Sequence, residues 1–581
     1  MSSVSNAIRS FWQYMWTLHV QTKRLLKLDF TAAIEQNNKL SEKEKKLAKE
    51  VLGKAGGDEG PNGYGTRQKI GLILGPVLFV LLLILPLPDA INPETKEVFP
   101  LTPEARGALA SAAWIATWWI TEAIPIPATS LLPIVLFPLT KAMSYKEVTP
   151  PYAHYNIYLF MGGFFIAVAM ERWNLHRRIA LNIIRLIGTG PNRIVLGFMV
   201  ATAFLSMWIS NTATTMMMTP IGLAVILQVA SLIKGEHASK ATAEAAATRD
   251  VDLSPGKFNF GTALMLGIAY AASIGGVATI IGTPPNNILV AAVEKMFGQE
   301  ISFARWMMYG VPIAVISLIL TWIYLVKVAF PIKLRELPGG MKVISEEIKK
   351  LGPMSKQETQ VLIVFTLVAL AWITRKWLLT PIFPKLGDPT IAILGALVLF
   401  LIPVDLKRGK FLLDWETAVK IPWGILLLFG GGIALADGFK KTGLANYIAY
   451  QLAGLEGASM LVIAAAVVTL TIFLTEVTSN TATASMMMPI MAAMAVAMGI
   501  HPYALMITAA IAASFAFMLP VATPPNAIVF GTGYVTIPQM AKAGFWLNIM
   551  GIILITGLTL FYLPVVWGID FSTLPSWAIL K

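Results

Sequence analysis

The chain has 581 residues, of which 56% are hydrophobic and only 13% charged, whereas soluble domains carry about 25% charged residues. The mean hydropathy is +0.68, and long stretches such as 458–474 hold no charge. These properties exclude a soluble globular protein, a disordered chain and a nucleic-acid-binding protein, and they predict an integral membrane protein with many spans.

The net charge of +13 does not indicate nucleic acid, because the basic residues lie in short loops between apolar segments, where they set membrane topology. The chain has no cysteine, which excludes disulfides, thiolate metal sites and thiol catalysis. Its five histidines show no metal-ligand spacing, and it carries no Walker-type phosphate loop. We therefore do not expect this chain to draw energy from bound ATP.

The first predicted region, residues 1–66, is a cytoplasmic or interfacial segment that does not span the membrane. Residues 7–30 mix aromatic with basic side chains, a pattern typical of an amphipathic helix at a bilayer surface. A polar helix is predicted over 41–52 and a glycine-rich tether over 53–65. The region lacks the compact apolar stretch and cleavage site of a signal peptide.

Apolar segments then follow one another along the rest of the chain. They occupy residues 70–86, 105–121, 124–140, 156–171, 193–231, 259–297, 303–329, 358–377, 388–404, 422–438, 458–499, 503–537 and 545–568. A membrane span needs about 20 residues, so each segment of about 40 residues is either two passes or one re-entrant hairpin.

Three short blocks of sequence occur twice and indicate an internal duplication. Residues 160–175 match 429–444, and Ser210-Asn211-Thr212-Ala213-Thr214 matches the same five residues at 479–483, both at an offset of 269. Thr283-Pro284-Pro285-Asn286 matches 523–526 at an offset of 240. A polar insertion at about 233–258 in the first copy accounts for the change of offset.

Each copy then holds five spans and one hairpin, and an odd number of spans inverts the second copy relative to the first. The basic loops place the N-terminus in the cytoplasm and the C-terminus outside, in what we expect to be the plasma membrane of a bacterium. We predict an all-α polytopic membrane protein with 11 transmembrane helices, two re-entrant hairpins and two broken helices. Its regions are 1–66, a first helix with an external loop at 67–104, the first inverted repeat at 105–330, a cytoplasmic linker at 331–357 and the second repeat at 358–581.

The duplicated blocks carry the chemistry. The two Ser-Asn-Thr triplets lie near the centres of their apolar segments, where they would form hairpin tips at mid-membrane. A helix broken there leaves unpaired carbonyls, which suit a cation, and unpaired amides, which suit an anion. A double proline cannot continue a helix but can start one, so 259–297 and 503–537 are also expected to break. Neutral oxygen-rich side chains suit Na⁺ as a hard cation.

These motifs, together with Trp118-Trp119-Ile120-Thr121-Glu122-Ala123-Ile124-Pro125, resemble the divalent anion/Na⁺ symporter (DASS) family of di- and tricarboxylate carriers. The resemblance covers about residues 70–568. It implies two sodium sites, one of Ser206, Ser210, Asn211 and Gly282, the other of Thr475, Thr478, Ser479, Asn480 and Ala522. It also implies substrate contacts from Asn211, Thr212, Thr283, Asn480, Thr481, Thr523 and Pro524.

The resemblance further implies a homodimer in which a substrate domain moves as an elevator on a fixed scaffold. Amphipathic arms near 174–188 and 441–453 would carry that movement. We therefore predict a Na⁺-coupled symporter of succinate, malate, fumarate or citrate, with Na⁺ as the co-transported ion and no organic cofactor. The partners are then the carboxylate, Na⁺, the lipid bilayer and a second copy of the chain.

Three other functions remain open at this stage. A Na⁺-independent dicarboxylate exchanger on the same fold is the main alternative, and an anion channel is another. A membrane-embedded hydrolase would need a base or metal pair near a serine, and no histidine lies near either triplet. Glu122 and Glu476 are functional candidates by position. Glu476 lies three residues before Ser479, so it either tunes the second sodium site or has a structural role, and the structural role is the favoured interpretation.

Overall fold

The structure is a computed structural model that describes residues 66–91, 96–188, 190–233, 257–332, 340–452 and 459–578. The helices predicted over 7–30 and 41–52, the glycine-rich tether and most of the polar insertion lie outside these residues. The described chain is mostly helical, with two short strand pairs, which agrees with the all-α prediction.

The long helices of the first half lie on the predicted apolar segments, and shorter or amphipathic helices lie between them. In chain order they are α1 (Thr66–Ile84), α2 (Pro103–Thr121), α3 (Ile126–Thr129), α4 (Leu132–Leu139), α5 (Tyr145–Val148), α6 (Tyr155–Arg172), α7 (Leu175–Ile187), α8 (Pro191–Ser206), α9 (Asn211–Ile233), α10 (Asn259–Gly276), α11 (Pro284–Phe297), α12 (Phe303–Ile323) and α13 (Gly340–Leu351). A π-helical stretch, Tyr324–Ala329, prolongs α12. Strands β1 (Ala90–Ile91) and β2 (Val98–Phe99) pair antiparallel between α1 and α2.

The second half is built in the same way from long apolar helices and shorter ones. Its helices are α14 (Lys356–Thr374), α15 (Asp388–Leu401), α16 (Trp415–Ala418), α17 (Trp423–Lys441), α18 (Leu444–Gln451), α19 (Met460–Thr475), α20 (Asn480–Ala497), α21 (Tyr503–Ala512), α22 (Pro524–Gly531), α23 (Ile537–Gly557) and α24 (Leu563–Trp567). Strands β3 (Pro403–Asp405) and β4 (Lys410–Phe411) pair antiparallel after α15.

Eight helical stretches within the described ranges are long and apolar enough to cross a membrane. Shorter apolar helices such as α8, α19 and α21 are halves of segments that break in the middle. The chain is thus an integral membrane protein of the all-α class. The count of 11 spans plus two hairpins, and the side on which each terminus lies, stay predictions.

The helices form two groups by their packing. In the first group, α1 packs on α2, α6 and α14 pack on α15, and α17 packs on α2, α4 and α6. In the second group, α8, α9, α12 and α22 pack on α10, while α11, α19 and α20 pack on α21, and α23 packs on α19. The second group contains the broken segments of both halves, and it contacts the first group through α17, which also packs on α11 and α20.

Two short amphipathic helices connect these groups. Helix α7 follows α6 and packs on α8, and α18 follows α17 and packs on α20. Arg178 on α7 donates from Nε to Glu358 Oε1 at 2.8 Å and from Nη1 to the carbonyl oxygen of Gly352 at 3.0 Å. This pair ties α7 to the start of α14. The two helices lie where the arms were expected.

Candidate functional site

The two Ser-Asn-Thr triplets lie where one helix ends and the next begins. Helix α8 ends at Ser206 and α9 begins at Asn211, while α19 ends at Thr475 and α20 begins at Asn480. Serine and asparagine favour this place because their side chains bond to free backbone groups at a helix start. Ser210 does so, since its Oγ accepts from the amide of Ala213 at 3.2 Å.

The two Thr-Pro-Pro-Asn blocks lie at the second pair of breaks. Helix α10 ends at Gly276 and α11 begins at Pro284, and α21 ends at Ala512 while α22 begins at Pro524. The first proline of each block occupies the first helical position, where the missing N–H of proline leaves no helical hydrogen bond unmade. The threonine before it is extended, with φ −142° at Thr283 and φ −143° at Thr523.

All four breaks border one cavity of about 530 Å³. Its lining includes every predicted substrate residue, namely Asn211, Thr212, Thr283, Asn480, Thr481, Thr523 and Pro524, and from the predicted cation sets also Ser210, Gly282, Ser479 and Ala522. The remaining three predicted residues, Ser206, Thr475 and Thr478, are buried and do not belong to the cavity lining. The structure therefore brings both tips to a common space, with the other hydroxyls of the cation sets behind them.

Oxygen atoms gather behind the first tip. Ser206 Oγ lies 2.5 Å from Asn211 Oδ1 and 2.8 Å from the carbonyl oxygen of Ala272 in α10. The side-chain amide atom of Asn211 that faces Ser206 also lies 3.2 Å from the carbonyl oxygens of Ala272 and Gly282. This atom is either the oxygen or the nitrogen of the amide. With its nitrogen turned there, Asn211 donates to these oxygens; with its oxygen turned there, a cluster of oxygens remains that holds a single hydroxyl hydrogen.

The second tip repeats this arrangement. Thr475 Oγ1 lies 2.7 Å from Asn480 Oδ1 and 3.0 Å from the carbonyl oxygen of Ala513. Thr475 takes the place of Ser206, Asn480 that of Asn211, and Ala513 that of Ala272. The hydroxyl of Thr478 contacts the carbonyl of Leu474 at 2.8 Å and Thr483 Oγ1 at 2.5 Å within its own hairpin.

The asparagine of each Thr-Pro-Pro-Asn block holds its break together. Asn286 Nδ2 donates to the carbonyl oxygens of Val277 at 3.0 Å and Thr279 at 2.7 Å. Asn526 Nδ2 donates to those of Ala516 and Leu519, both at 3.0 Å. These bonds satisfy carbonyls that the end of a helix leaves without partners, and they fix the backbone that borders the cavity.

The two halves of the chain meet at this point. Thr283 Oγ1, at the start of α11, lies 3.4 Å from Ser514 Oγ, in the second broken segment. The backbone is closely packed at the first break, where a Cβ on Gly276 would stand 2.7 Å from Asn211 Oδ1 and 2.9 Å from the carbonyl oxygen of Gly282. Glycine is required at position 276 by this close approach.

An ion pair borders the cavity on one side. Glu122 lines it and has a half-exposed side chain with a left-handed backbone, φ 51°. Arg67, at the start of α1, lies 3.4 Å from Glu122 Oε1 and donates from Nη1 to the carbonyl oxygen of Val477 at 2.9 Å. Arg67 thus joins the first helix group to the second hairpin tip.

Several residues of this arrangement escaped the sequence analysis. Asn286 and Asn526 belong to a duplicated motif, which was the available signal for their role. The carbonyl oxygens of Ala272 and Ala513 belong to backbone in apolar helices and carry no such signal. Arg67 contacts a residue 410 positions away, which only the folded chain reveals.

Comparison with known proteins adds independent findings. A family model described as the sodium:sulfate symporter transmembrane region matches residues 67–569. The sodium-dependent dicarboxylate transporter SdcS of Staphylococcus saprophyticus is 49% identical over 510 residues, which are 87% of this chain and 93% of that protein. SdcS of Staphylococcus aureus is 47% identical over 512 residues, 88% of this chain and 94% of that protein. The solved structure of MtrF from Neisseria gonorrhoeae, presented as one of a class of antimetabolite efflux pumps, has a similar fold, with a TM-score of 0.51 at 12% identity over 85% of this chain and 95% of that one.

Proposed function

This chain belongs to the sodium:sulfate symporter family, and we propose that it imports dicarboxylates together with Na⁺ as a secondary active transporter. Membership confirms the predicted resemblance, and since this family and the relatives are transporters, the prediction that the chain is not an enzyme is confirmed as well. The observation that carries the proposal is the pair of matching oxygen clusters, one behind each tip of a shared cavity.

Na⁺ would bind at these two clusters. At the second cluster the buried hydroxyl of Thr475 faces two oxygens but has one hydrogen to give; the first cluster has the same excess of oxygens when Asn211 turns its amide oxygen toward Ser206. Hard cations prefer such neutral oxygen ligands. The first ion would be held by Ser206, Ser210, Asn211 and Gly282 with the carbonyl of Ala272, and the second by Thr475, Ser479, Asn480 and Ala522 with the carbonyl of Ala513. Thr478 would support the second hairpin from within.

The dicarboxylate would lie between the tips. Four helices, α9, α11, α20 and α22, begin at residues that line the cavity, and helix starts attract anions through free amides and the helix dipole. Asn211, Thr212, Asn480 and Thr481 would bind the two carboxylates, with Thr283, Thr523 and Pro524 beside them. Burial of an anion is costly without compensation, so bound Na⁺ and bound anion would stabilise each other.

The first test is uptake by proteoliposomes that contain the purified protein. Labelled succinate, malate, fumarate, citrate and sulfate are offered with an inward gradient of Na⁺ or of K⁺. We expect uptake of C4-dicarboxylates that requires Na⁺. Equal uptake in K⁺ would overturn the coupling, and counterflow without any cation gradient would identify an exchanger instead. Preferred uptake of sulfate would overturn the substrate class.

The transport movement would be an elevator in which the second helix group slides along the first. Several polar contacts join the groups: His154 at the start of α6 lies 3.5 Å from Glu294 on α11, and Lys295 on α11 lies 3.3 Å from Asp437 on α17. The contact between Arg67 and Val477 also crosses between them. Each of these contacts would have to break when the second group moves, while α7 and α18 act as arms.

Cross-linking tests this movement directly, because the natural chain has no cysteine. A double Arg67→Cys/Val477→Cys variant is treated with a reducible bifunctional thiol reagent that matches the reach of an arginine side chain. We expect cross-linking to stop uptake and reduction to restore it. A matched pair within the second group, Met308→Cys/Tyr562→Cys, where Tyr562 donates to the carbonyl of Met308 at 3.2 Å, should transport when cross-linked. Normal transport by the cross-linked Arg67→Cys/Val477→Cys variant would contradict the elevator.

The remaining predictions extend the same proposal. The inverted repeats would give 11 spans with two re-entrant hairpins, a cytoplasmic N-terminus and an external C-terminus, in the plasma membrane of a bacterium. The assembly would be a homodimer, as the family resemblance implies. Labelling of cysteines placed in single loops by an impermeant reagent, and the mass of the detergent-solubilised particle, measure these two points.

A further inference from the structure

Glu476 is a buried carboxylate at the centre of the second half. Its side chain carries only 3% of its possible exposure. Oε1 accepts from the backbone amides of Phe517 at 2.7 Å and Met518 at 2.9 Å, and Oε2 accepts from Met518 at 3.1 Å and Leu519 at 3.2 Å. Asn548 Nδ2 donates to Oε1 at 2.7 Å. Both oxygens are therefore surrounded by hydrogen-bond donors.

This donor set indicates the ionised form. An ionised carboxylate only accepts hydrogen bonds, whereas a protonated one carries a hydrogen of its own, which would meet an N–H at either oxygen. The four donor groups are three backbone amides, which the break between α21 and α22 leaves without helical partners, and one neutral asparagine. They solvate the negative charge but do not cancel it.

The first half has no such charge at the equivalent place. With the offset of 269, Glu476 corresponds to Met207. There the first break is held by a neutral chain of bonds: the amide of Gly282 donates to Thr279 Oγ1 at 3.0 Å, and Thr279 Oγ1 donates to the carbonyl oxygen of Met207 at 2.5 Å. The two otherwise matching clusters thus differ by one formal negative charge.

Glu476 also connects the parts of the second cluster. It follows Thr475, whose hydroxyl contacts Asn480 and the carbonyl of Ala513. Its bonds to residues 517–519 fix the backbone between Ala513 and Ala522, so the carboxylate sets the position of the loop that carries both candidate backbone ligands. A negative charge buried beside an oxygen cluster favours a cation there, because attraction is strong where water is excluded.

We propose that Glu476 is a positioning residue that makes the two sodium sites unequal, so that the site of the second half binds Na⁺ more tightly and fills first. This inference rests on the proposed function, since it assumes that both clusters bind Na⁺. The carboxylate acts in two ways, by holding the loop of the second break and by supplying the negative charge that the first half lacks.

The test measures thermal stabilisation of the purified full-length protein by Na⁺ alone, with choline as the control cation. The wild type should show two phases of stabilisation as the Na⁺ concentration rises. Glu476→Gln keeps the shape but removes the charge, and we expect it to shift the tighter phase to about tenfold higher Na⁺ while the weaker phase stays. Ser206→Ala should affect only the weaker phase.

The outcomes separate this inference from the proposed function. If the wild type shows no response to Na⁺, the proposed function fails. If the wild type responds in two phases and Glu476→Gln leaves the tighter phase in place, the inference is overturned. If Glu476→Gln does not fold, the same measurement is made on Thr475→Val, which removes a ligand of the second site. Loss of the weaker phase instead of the tighter one would overturn the assignment of the tighter phase to the second half.

Discussion

The hydroxyl of Thr475 offers the sharpest test of a sodium ligand. Thr475→Val replaces the hydroxyl by a methyl group of similar shape, so the buried packing around α19 is kept. The variant loses an oxygen that lies 2.7 Å from Asn480 Oδ1 and 3.0 Å from the carbonyl of Ala513. Loss of one partner from a buried polar cluster costs about 1–3 kcal/mol. A central value of about 2 kcal/mol corresponds to an affinity about 30-fold lower.

The assay is initial uptake of labelled succinate into proteoliposomes as a function of Na⁺ concentration. We expect Thr475→Val to raise the Na⁺ concentration for half-maximal uptake by about 30-fold, with the maximal rate approached at high Na⁺. Thr475→Ser is the matched control, because it keeps the hydroxyl and copies Ser206 of the first cluster. A Thr475→Val variant with the Na⁺ curve of the wild type would refute the ligand assignment, and an equal shift in Thr475→Ser would attribute the effect to packing.

Two further variants test the backbone of the site and the anchoring of the arm. Gly282→Ala should weaken Na⁺-dependent uptake, because its Cβ would collide with the carbonyl that ends α10. The reverse change in the second half, Ala522→Gly, should leave uptake close to normal; wild-type kinetics in Gly282→Ala would contradict this account. Arg178→Ala leaves buried Glu358 without its charged partner, which costs about 3 kcal/mol and should lower the Tm of the detergent-solubilised protein. Arg408→Ala removes an exposed pair, worth less than about 1 kcal/mol, and an equal loss of Tm in both variants would refute the assigned role.

The parts of the fold that were predictable are those with a local cause. Two prolines in sequence end one helix and start another wherever they occur, so the breaks before Pro284 and Pro524 follow from residues 284–285 and 524–525 alone. The duplicated triplets at 210–212 and 479–481 indicated the tips, because the packing of apolar helices does not require the same polar triplet in two separate segments. The long apolar helices of the described chain accordingly lie on the predicted apolar segments.

What escaped prediction depends on contacts between distant residues. The backbone amides that donate to Glu476 belong to the apolar residues 517–519, which lie 41 to 43 positions away. The position of Glu476 in the sequence therefore indicated that it is buried, but not which groups donate hydrogen bonds to it. The hydroxyl of Thr478 contacts Thr483 within its own hairpin, a local partner that the predicted ligand set does not indicate. The contact between Thr283 and Ser514 joins the two repeats, and no pattern within either repeat indicates it.

The central claim is that one tip from each half holds the same anion together with Na⁺. Binding of succinate to the purified protein, measured by calorimetry with and without Na⁺, tests it in the wild type and in two matched variants, Asn211→Ala and Asn480→Ala. The account predicts Na⁺-dependent binding in the wild type and its loss in both variants, each of which should still insert and fold. Wild-type affinity in either variant, or succinate binding that is indifferent to Na⁺, would contradict it.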